Sequence, residues 1–358
     1  MKNYKGDILM IYKGPFGTLT DSYKWCQYLK EEYNITFVEL QGDGEIQQND
    51  INLVRVSNKG IRLVRGLRFM LYCLFHIIYF KGVIIVFYFD GCDIFKTIFP
   101  WKKMILDIRT LCVDKDENVR KRSDEKLVKA CKKYDHITII QKDLINKLKV
   151  DPDKFSIIPL GADVISTKCK YYDEIKLLYV GTLEGRRIAD TIEGISIFMQ
   201  KYPEVKLSYD IVGDGITDTK EQLKELVMKY ELYDIVRLHG RISYDKLYPF
   251  FAECNIGVSY VPITPWYDHQ PPTKTFEYIM SGLFCLATNT SENKKLITHI
   301  NGILHKDNPI DFSNALEQYI QQKDKLDFDK IKNSLAEYNW ESIVNNKLLP
   351  IINSVNTL

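Results

Sequence analysis

Residues Ile175 to Ile188 read IKLLYVGTLEGRRI, and this stretch decides the fold. A largely apolar run ends in a glycine turn, two arginines follow, and a helix-like stretch begins. A strand, a turn and a helix in this order open a βαβ unit. Because helix N-termini and arginine both bind phosphate, the turn is a candidate phosphate site. The alternative is an ordinary strand–turn–helix with arginines on its surface.

The same alternation of strand-like and helix-like stretches runs through both halves of the chain, which predicts two α/β domains with parallel sheets. In the first half the predicted strands are Ile8–Tyr12, Thr36–Leu40, Val83–Phe89, Met104–Ile108, His136–Ile140 and Phe155–Pro159. In the second half they are Ile175–Val180, Leu207–Val212, Ile235–His239, Ile256–Tyr260 and Phe284–Thr288. The polar, aperiodic stretch between about 162 and 174 marks the boundary. We therefore expect domains at 1–165 and 166–337, followed by a final helical segment at 338–358.

Composition excludes several classes of protein. The net charge of +2 over 358 residues gives no reason to expect a nucleic-acid partner. The eight cysteines form no C-x-x-C pair and no zinc-type spacing with histidine, so we expect free thiols in a reducing compartment. The apolar run near the N-terminus is too short for a signal peptide, and a cytoplasmic location is expected.

A second glycine turn follows the strand at Tyr209, in the sequence YDIVGDG. The third glycine of the dinucleotide-binding pattern G-x-G-x-x-G is missing. This argues against a nicotinamide enzyme, and no cofactor or metal is predicted.

The most specific motif is YDHQPPTKTFEYIMSG, from Tyr267 to Gly282. Two prolines fix a loop, and a helix is predicted to begin near Thr273, which presents backbone N–H groups to an anion. Glu277, about one turn into this helix, can accept two hydrogen bonds from a ribose diol. The alternative is a glutamate that only complements the helix dipole. Gly282 is expected to end the helix.

Together these motifs resemble the retaining glycosyltransferases of family 4. The resemblance rests on VGTLEGRR, IVGDG, HGRI, IGVSYVP and PTKTFEYIMSG in this order, and on the segment FSIIPLGAD that ends the first half. It covers residues 104–345 well and residues 1–100 weakly. It implies the GT-B fold, in which two Rossmann-like domains with parallel sheets face each other across a cleft and a C-terminal helix crosses back to the first domain.

The resemblance also implies roles for residues of the second half. Arg187 matches the cation that neutralises the donor diphosphate, with Arg186 compensating for Thr182, which stands after Gly181 where the family often has arginine. Glu277 matches the second glutamate of the family's E-x7-E motif. The first would fall at His269, so Asp268 is the neighbouring candidate for the sugar hydroxyls. The remaining expected donor contacts are Thr273 and Lys274 through their backbone beside the diphosphate, and Gly240 and Arg241 at the base.

In the first half, the resemblance places Gly14 and Gly17 in a loop beneath the donor. Asp107 and Arg109 end the fourth predicted strand, where ligands bind in such sheets. We expect both to face the cleft and take part in catalysis with Arg186 and Arg187.

The implied reaction is the metal-independent transfer of a sugar from a nucleoside-diphosphate sugar to a hydroxyl of a glycan or lipid-linked acceptor, with retention of configuration. Bacterial surface polysaccharide synthesis is the expected setting. Two alternatives stay open. A nucleotide-sugar 2-epimerase would use the same diphosphate site without an acceptor, and a catalytically silent nucleotide-sugar-binding subunit would be consistent with the histidine at position 269.

A helix is predicted over 61–80, followed by a buried strand. Lys81 and Gly82 interrupt the apolar stretch, which argues against a membrane span. Arg62, Arg65 and Arg68 share one face at a spacing of three. One interpretation is a basic, partly apolar surface that contacts anionic lipid from the cytoplasm; the other is a core helix with a solvated arginine edge.

Overall fold

The computed structural model describes residues 4–42, 50–112, 114, 116–148 and 150–357. The chain forms two compact units. Unit 1 comprises Met1–Gly161 and Trp340–Leu358, and unit 2 comprises Ala162–Asn339.

Unit 1 is built on a parallel sheet, with seven strands in its described residues. Their order across the sheet is β3-β2-β1-β4-β5-β6-β7. The strands are β1 (Gly6–Tyr12), β2 (Tyr33–Leu40), β3 (Asn52–Val56), β4 (Val83–Phe87), β5 (Met104–Ile108), β6 (His136–Ile139) and β7 (Phe155–Ile157). The helices are α1 (Thr20–Leu29), α2 (Arg62–Tyr79), α3 (Asp93–Ile98), α4 (Glu117–Lys133) and α5 (Asp143–Leu148). Strands β4 and β5 are buried along their whole length, as expected where helices cover both faces of a parallel sheet.

Unit 2 repeats this plan with a parallel sheet in the order β10-β9-β8-β11-β12-β13. The strands are β8 (Ile175–Val180), β9 (Leu207–Val212), β10 (Val236–Gly240), β11 (Ile256–Ser259), β12 (Phe284–Thr288) and β13 (Gly302–His305). The helices are α6 (Ala189–Lys201), α7 (Thr217–Lys229), α8 (Tyr248–Glu253), α9 (Thr273–Met280), α10 (Asn293–Leu296), α11 (Pro309–Gln322) and α12 (Phe328–Asn333). In both sheets the strand order reverses beside the first strand, β1 or β8, and a crevice at the carboxyl ends of the strands is the usual ligand site there.

The C-terminal segment returns to unit 1 as two helices, α13 (Trp340–Ile343) and α14 (Leu349–Thr357), joined by a π-helical turn at Val344–Leu348. The Trp340 ring packs on Gly161, where a Cβ would lie 2.5 Å from the ring. Two hydrogen bonds hold α14: the Tyr33 hydroxyl donates to Asn353 Oδ1 at 2.9 Å, and Lys103 Nζ donates to the Asn356 carbonyl at 2.6 Å. The final segment therefore belongs to the core of unit 1.

The predicted fold class is confirmed: the chain is α/β with two parallel sheets. Sequence patterns missed β3 and β13, each of which lies at one edge of its sheet. β3 is exposed or half-buried except at its last residue, and β13 has only four residues, so the apolar signal is weak in both. No described helix is long and apolar enough to cross a membrane, and all eight cysteines are free thiols, most of them buried.

Helix α9 is fastened to the sheet of unit 2 by Tyr278. Its ring packs directly on Gly257 of β11, where a Cβ would lie 2.2 Å from the ring. Its hydroxyl accepts a hydrogen bond from the Val180 backbone N–H at 2.7 Å, at the end of β8. The helix then ends at a left-handed Gly282 with φ of 76°, as predicted. This packing fixes where the first turn of α9 lies relative to the end of β8.

We expect Gly257→Ala to destabilise unit 2 by about 1–3 kcal/mol, since the methyl group overpacks the Tyr278 ring. Urea denaturation of the purified protein measures the effect. Lys206→Ala is the control, since that lysine side chain is 85% exposed, and its stability should equal that of the parent. An unchanged midpoint for Gly257→Ala would contradict the packing described.

Candidate functional site

The turn after β8 is held in place by its neighbour after β9. The Gly181 N–H donates to the Val212 carbonyl at 3.0 Å, and the Leu183 N–H donates to the Asp214 carbonyl at 2.9 Å. The two turns approach so closely that a Cβ on Gly213 would lie 1.9 Å from the Gly181 carbonyl oxygen. Gly181 itself has φ of 147°, which favours glycine. The β8 turn is thus a rigid feature at the carboxyl end of the sheet.

The first turn of α9 points its lysine at this β8 turn. Lys274 Nζ lies 3.8 Å from the centre of the Tyr179 ring. A Cβ on Gly181 would be 3.2 Å from the same nitrogen. The next residue, Thr275, shares hydrogen bonds with Ser259 at 2.7 Å and Asn293 at 3.0 Å, which secures the helix start. Because the side chain of Lys274 is brought to the turn, its charge, and not only its backbone, is part of the site.

Arg186 supplies a second positive charge close to Lys274. Its guanidinium carbon lies 4.1 Å from the centre of the Tyr267 ring, a cation–π contact. Burial, together with the nearby positive charge of Arg186, holds the pKa of Lys274 well below its usual range. Protonation of Lys274 beside Arg186 is opposed by charge repulsion, and an anion bound near both side chains would relieve that repulsion. Sequence analysis named both residues, and the structure brings them together.

Arg187 faces a different environment from its neighbour. Its Nη2 lies 2.7 Å from Asp190, and its Nη1 lies 3.2 Å from Asp307. Its backbone is left-handed, with φ of 54°, which is uncommon for a residue with a side chain. Half of the side chain is exposed, and two carboxylates balance its charge. The two arginines that we expected to act together therefore have different neighbours. Arg186 lies near Lys274, and Arg187 is paired with the two carboxylates.

Glu277 lies on α9 and is 9% exposed. The Tyr244 hydroxyl lies 3.1 Å from Glu277 Oε1 and 3.1 Å from Asp163 Oδ2. Burial, followed by the charges of Glu277 and Asp163, raises the pKa of Tyr244, so its hydroxyl stays protonated and can donate. The carboxylate expected to bind ribose is thus oriented by a tyrosine that sequence analysis did not name.

Asp268 is already engaged as a loop anchor. It accepts hydrogen bonds from the Ser291 N–H at 2.8 Å and the Ser291 hydroxyl at 2.6 Å, one on each carboxylate oxygen. Burial opposes ionisation of Asp268, but these bonds lower its pKa below its ordinary value. His269 Nε2 lies 3.7 Å from the same carboxylate. The Asp268 carboxylate is therefore hydrogen-bonded to Ser291 and lies near the His269 ring.

A cavity of about 290 Å³ opens where β8, β9 and β10 end. Its lining includes Leu183, Gly213, Leu223, His239 and Gly240. His239 Nε2 lies 2.6 Å from Asp210 Oδ1. The Asp210 carboxylate also accepts a bidentate pair of hydrogen bonds from Arg237, at 2.9 and 3.0 Å.

Gly240, which we expected to contact the base of the nucleotide, lines this cavity, and Arg241 beside it is exposed. Three leucines, an isoleucine, a histidine ring and two lysines give the cavity the mixed apolar and polar lining that is typical of a small-molecule site.

In unit 1, Gly14 and Gly17 lie in the turn that follows β1. A Cβ on Gly14 would lie 2.6 Å from the Tyr12 ring, and Gly17 has φ of 85°. Phe16, between them, donates its backbone N–H to Glu39. A side chain at position 14 would have to displace the Tyr12 ring, and the backbone conformation at position 17 favours glycine.

Asp107 and Arg109 form a buried charge network within unit 1. The Arg109 guanidinium donates to both oxygens of Asp107 at 2.8 and 3.0 Å, lies 3.0 Å from Asp21, and packs 4.6 Å from the Trp25 ring centre. The Thr138 hydroxyl donates to Asp107 at 2.6 Å. Arg109 also donates to the Ile158 carbonyl at 2.9 Å. The network connects the end of β5 to α1, β6 and the residue after β7.

We expect Arg109→Met to destabilise unit 1 by about 3–5 kcal/mol, because Asp107 and Asp21 would be left buried without a positive charge. Urea denaturation tests this. Burial already raises the pKa of Asp21 against the opposing effect of Arg109, so the variant should also be most stable at lower pH, where Asp21 is protonated. Parent-like stability would show that the network is not structural.

Comparisons with known proteins extend the fold assignment. Residues 174–322 match the family model described as Glycosyl transferases group 1. A comparison with curated proteins found no match.

Three solved structures share the fold over nearly the whole chain. Sucrose-phosphate synthase from Thermosynechococcus elongatus is 15% identical with a TM-score of 0.74, covering 98% of this chain and 99% of that one. A glycosyltransferase from Rickettsia africae is 14% identical with a TM-score of 0.76, covering 99% of both chains. Anabaena HepE, solved with UDP and glucose, is 12% identical with a TM-score of 0.76, covering 97% of this chain and 99% of that one. The chain has the GT-B fold, and the match of unit 2 to the group 1 model supports a glycosyltransferase.

Proposed function

We propose that the protein is a retaining glycosyltransferase that moves a sugar from a nucleoside-diphosphate sugar to a hydroxyl of a glycan or lipid-linked acceptor. The observation that carries the proposal is the pair of basic side chains formed by Arg186 and Lys274, beside the β8 turn and the start of α9. Arginine, lysine and a helix N-terminus are the groups that bind phosphates in proteins. They lie in the segment that matches the glycosyltransferase model.

The difficult step in this reaction is departure of the diphosphate. Negative charge grows on its oxygens as the bond to the sugar breaks, and cations fixed beside it stabilise this transition state more than the ground state. We assign this role to Arg186, Lys274 and Arg187. Thr182 and Gly181 bring backbone to the same oxygens, as does Thr273 at the start of α9. The reaction we propose uses no metal.

The rest of the donor follows from the same arrangement. Glu277, oriented by Tyr244, would accept hydrogen bonds from the ribose hydroxyls. The base would enter the cavity beside His239 and Gly240, with Arg241 at its edge. HepE was solved with UDP, which makes uracil the first base to test.

The remaining predicted residues receive supporting roles. Asp268 and His269 would shape the loop next to the sugar, and Gly14 and Gly17 would form a close-packed turn in unit 1. We assign Asp107 and Arg109 a positioning role at the end of β5, because both are buried and paired with each other. The proposed setting is surface polysaccharide synthesis at the cytoplasmic face of a membrane.

A thermal-shift screen of UDP, GDP and ADP sugars tests the donor class directly. We expect one base to raise the unfolding temperature, and the matching donor to be consumed only when an acceptor is present. If the donor alone is converted into a new nucleotide sugar by NMR, the protein is an epimerase. If no nucleotide binds at millimolar concentration, the proposal is wrong.

With the donor identified, Arg186→Ala should lower kcat by about 10²–10³-fold, the typical cost of removing one group that stabilises developing charge. Arg187→Ala should lower it at least tenfold, since Asp190 and Asp307 would then lie near the diphosphate without a cation. Steady-state kinetics measure both, with Lys206→Ala as the control. Parent-like turnover in a folded Arg186→Ala variant would remove this residue from the mechanism.

Binding of a nucleoside diphosphate should take up protons. Burial and the charge of Arg186 lower the pKa of Lys274 in the empty site, and a bound diphosphate would raise it by favouring the charged form. Between the two pKa values, each binding event would transfer up to one proton from the buffer to the lysine. Calorimetry in buffers of different ionisation enthalpy measures this uptake. It should vanish in Lys274→Met, and equal uptake in the variant would contradict the assignment.

A further inference from the structure

Helix α2 carries an exposed apolar face that nothing in the proposed reaction uses. It is attached to unit 1 through Phe69, Cys73 and Ile77, which are fully buried and spaced by four residues. Its other sides are open to solvent. The exposed apolar side chains of this segment are Ile61, Leu63, Val64, Leu67, Leu71, Tyr72, Phe75, Ile78 and Tyr79, with exposed fractions from 44% to 78%.

These side chains form a continuous ridge. Leu63, Leu67, Leu71, Phe75 and Tyr79 recur every four residues, so each lies next to the one before it in an inclined row along the helix. The helix has 18 residues and at 1.5 Å per residue is about 27 Å long, and the ridge extends over nearly all of this length. Soluble proteins rarely leave so large an apolar patch in water, and such patches mark surfaces that bind something.

The apolar surface continues beyond α2. Lys102 Nζ donates to the carbonyls of Ile78 and Phe80, so the segment after α3 lies beside the end of the helix. Trp101, next to this lysine, is 71% exposed. Tyrosine and tryptophan, with an apolar ring and a polar group, are the residues typical of a membrane–water interface.

The charges around the ridge are of one sign. From residue 51 to residue 89 the sequence contains no aspartate or glutamate and has six lysines and arginines, at Arg55, Lys59, Arg62, Arg65, Arg68 and Lys81. Arg65 donates to the Asn58 side-chain oxygen at 2.9 Å, and Arg68 donates to the carbonyls of Ser57 and Lys59. These hydrogen-bond partners are neutral, so they do not balance the positive charge of either arginine. Both are held at the start of α2, beside the ridge.

From this combination we infer that α2 is a docking surface for an anionic lipid bilayer, with the helix lying in the plane of the interface. The apolar ridge enters the boundary between headgroups and acyl chains, and the lysines and arginines contact the headgroup phosphates. The opposite side of the helix stays packed on unit 1, so the protein binds peripherally. A protein partner of matching shape would have to supply acidic groups around an apolar groove, whereas a bilayer of acidic lipids offers both over any length of the ridge.

Co-sedimentation with vesicles tests this surface without nucleotide or acceptor, so its result does not depend on the proposed function. The full-length protein should pellet with vesicles of equal parts phosphatidylglycerol and phosphatidylcholine, and at least tenfold less with phosphatidylcholine alone. Raising the salt from 0.1 to 0.5 M should weaken binding to the anionic vesicles, because it screens the charges.

Two variants separate the apolar and charged contributions. Leu67→Glu with Phe75→Glu should reduce binding at least tenfold, and Arg62→Glu with Lys81→Glu should remove the preference for anionic vesicles. The matched control is Ile310→Glu on α11, a substitution at an apolar side chain that is 63% exposed elsewhere; it should bind like the parent.

Equal binding by the ridge variant and the control would overturn the inference, as would failure of the parent to bind anionic vesicles. Gel filtration provides the other decisive outcome. If the parent is a dimer without lipid and Leu67→Glu with Phe75→Glu is a monomer, the ridge joins two copies of the chain and the lipid assignment is wrong.

Discussion

The proposed site depends on the packing of the Tyr278 ring on Gly257 and on the hydrogen bond from the Val180 N–H of β8 to the Tyr278 hydroxyl. The ring occupies space that only glycine at position 257 leaves open, and the hydroxyl satisfies the last backbone N–H of the strand. Tyr278 is one residue after Glu277 and one helical turn after Lys274. A single side chain therefore sets the distance from the β8 turn to both residues. Without it, the cation of Lys274 and the carboxylate of Glu277 would have no fixed relation to Gly181.

The two units use basic side chains near the ends of their strands in opposite ways. In unit 1, Arg109 contacts two carboxylates and a carbonyl, so its charge is balanced within contacts that connect strand ends. In unit 2, Arg186 and Lys274 lie over aromatic rings and near each other, an arrangement that favours an incoming anion. The same residue types at the ends of parallel strands thus serve stability in one sheet and, in our proposal, chemistry in the other. Only the identity of the neighbouring residues distinguishes the two cases.

Sequence patterns predicted the fold class and most central strands, since buried parallel strands leave a strong apolar signal. They also singled out the segments around Gly181 and Thr273, which the structure brings together. They did not predict how the two adjacent arginines would separate, because that depends on Asp190 and on Asp307, which is more than a hundred residues away in the chain. Tyr244 was missed for the same reason: it reaches Glu277 from a 3₁₀ turn far along the sequence. The ring partner of Lys274, Tyr179, was visible only as one more apolar residue of β8.

The close approach of Gly213 to the Gly181 carbonyl has a mechanical consequence. The turn after β8 and the turn after β9 are packed so closely that only the hydrogen atoms of a glycine fit between them. The β9 turn lines the cavity beside His239, while the β8 turn leads to Arg186. Because the two turns are in direct contact, we expect a displacement of one turn to move the other. We therefore expect a ligand that fills the cavity to restrict the position of Arg186 as well, so that binding at one end of an elongated ligand favours binding at the other.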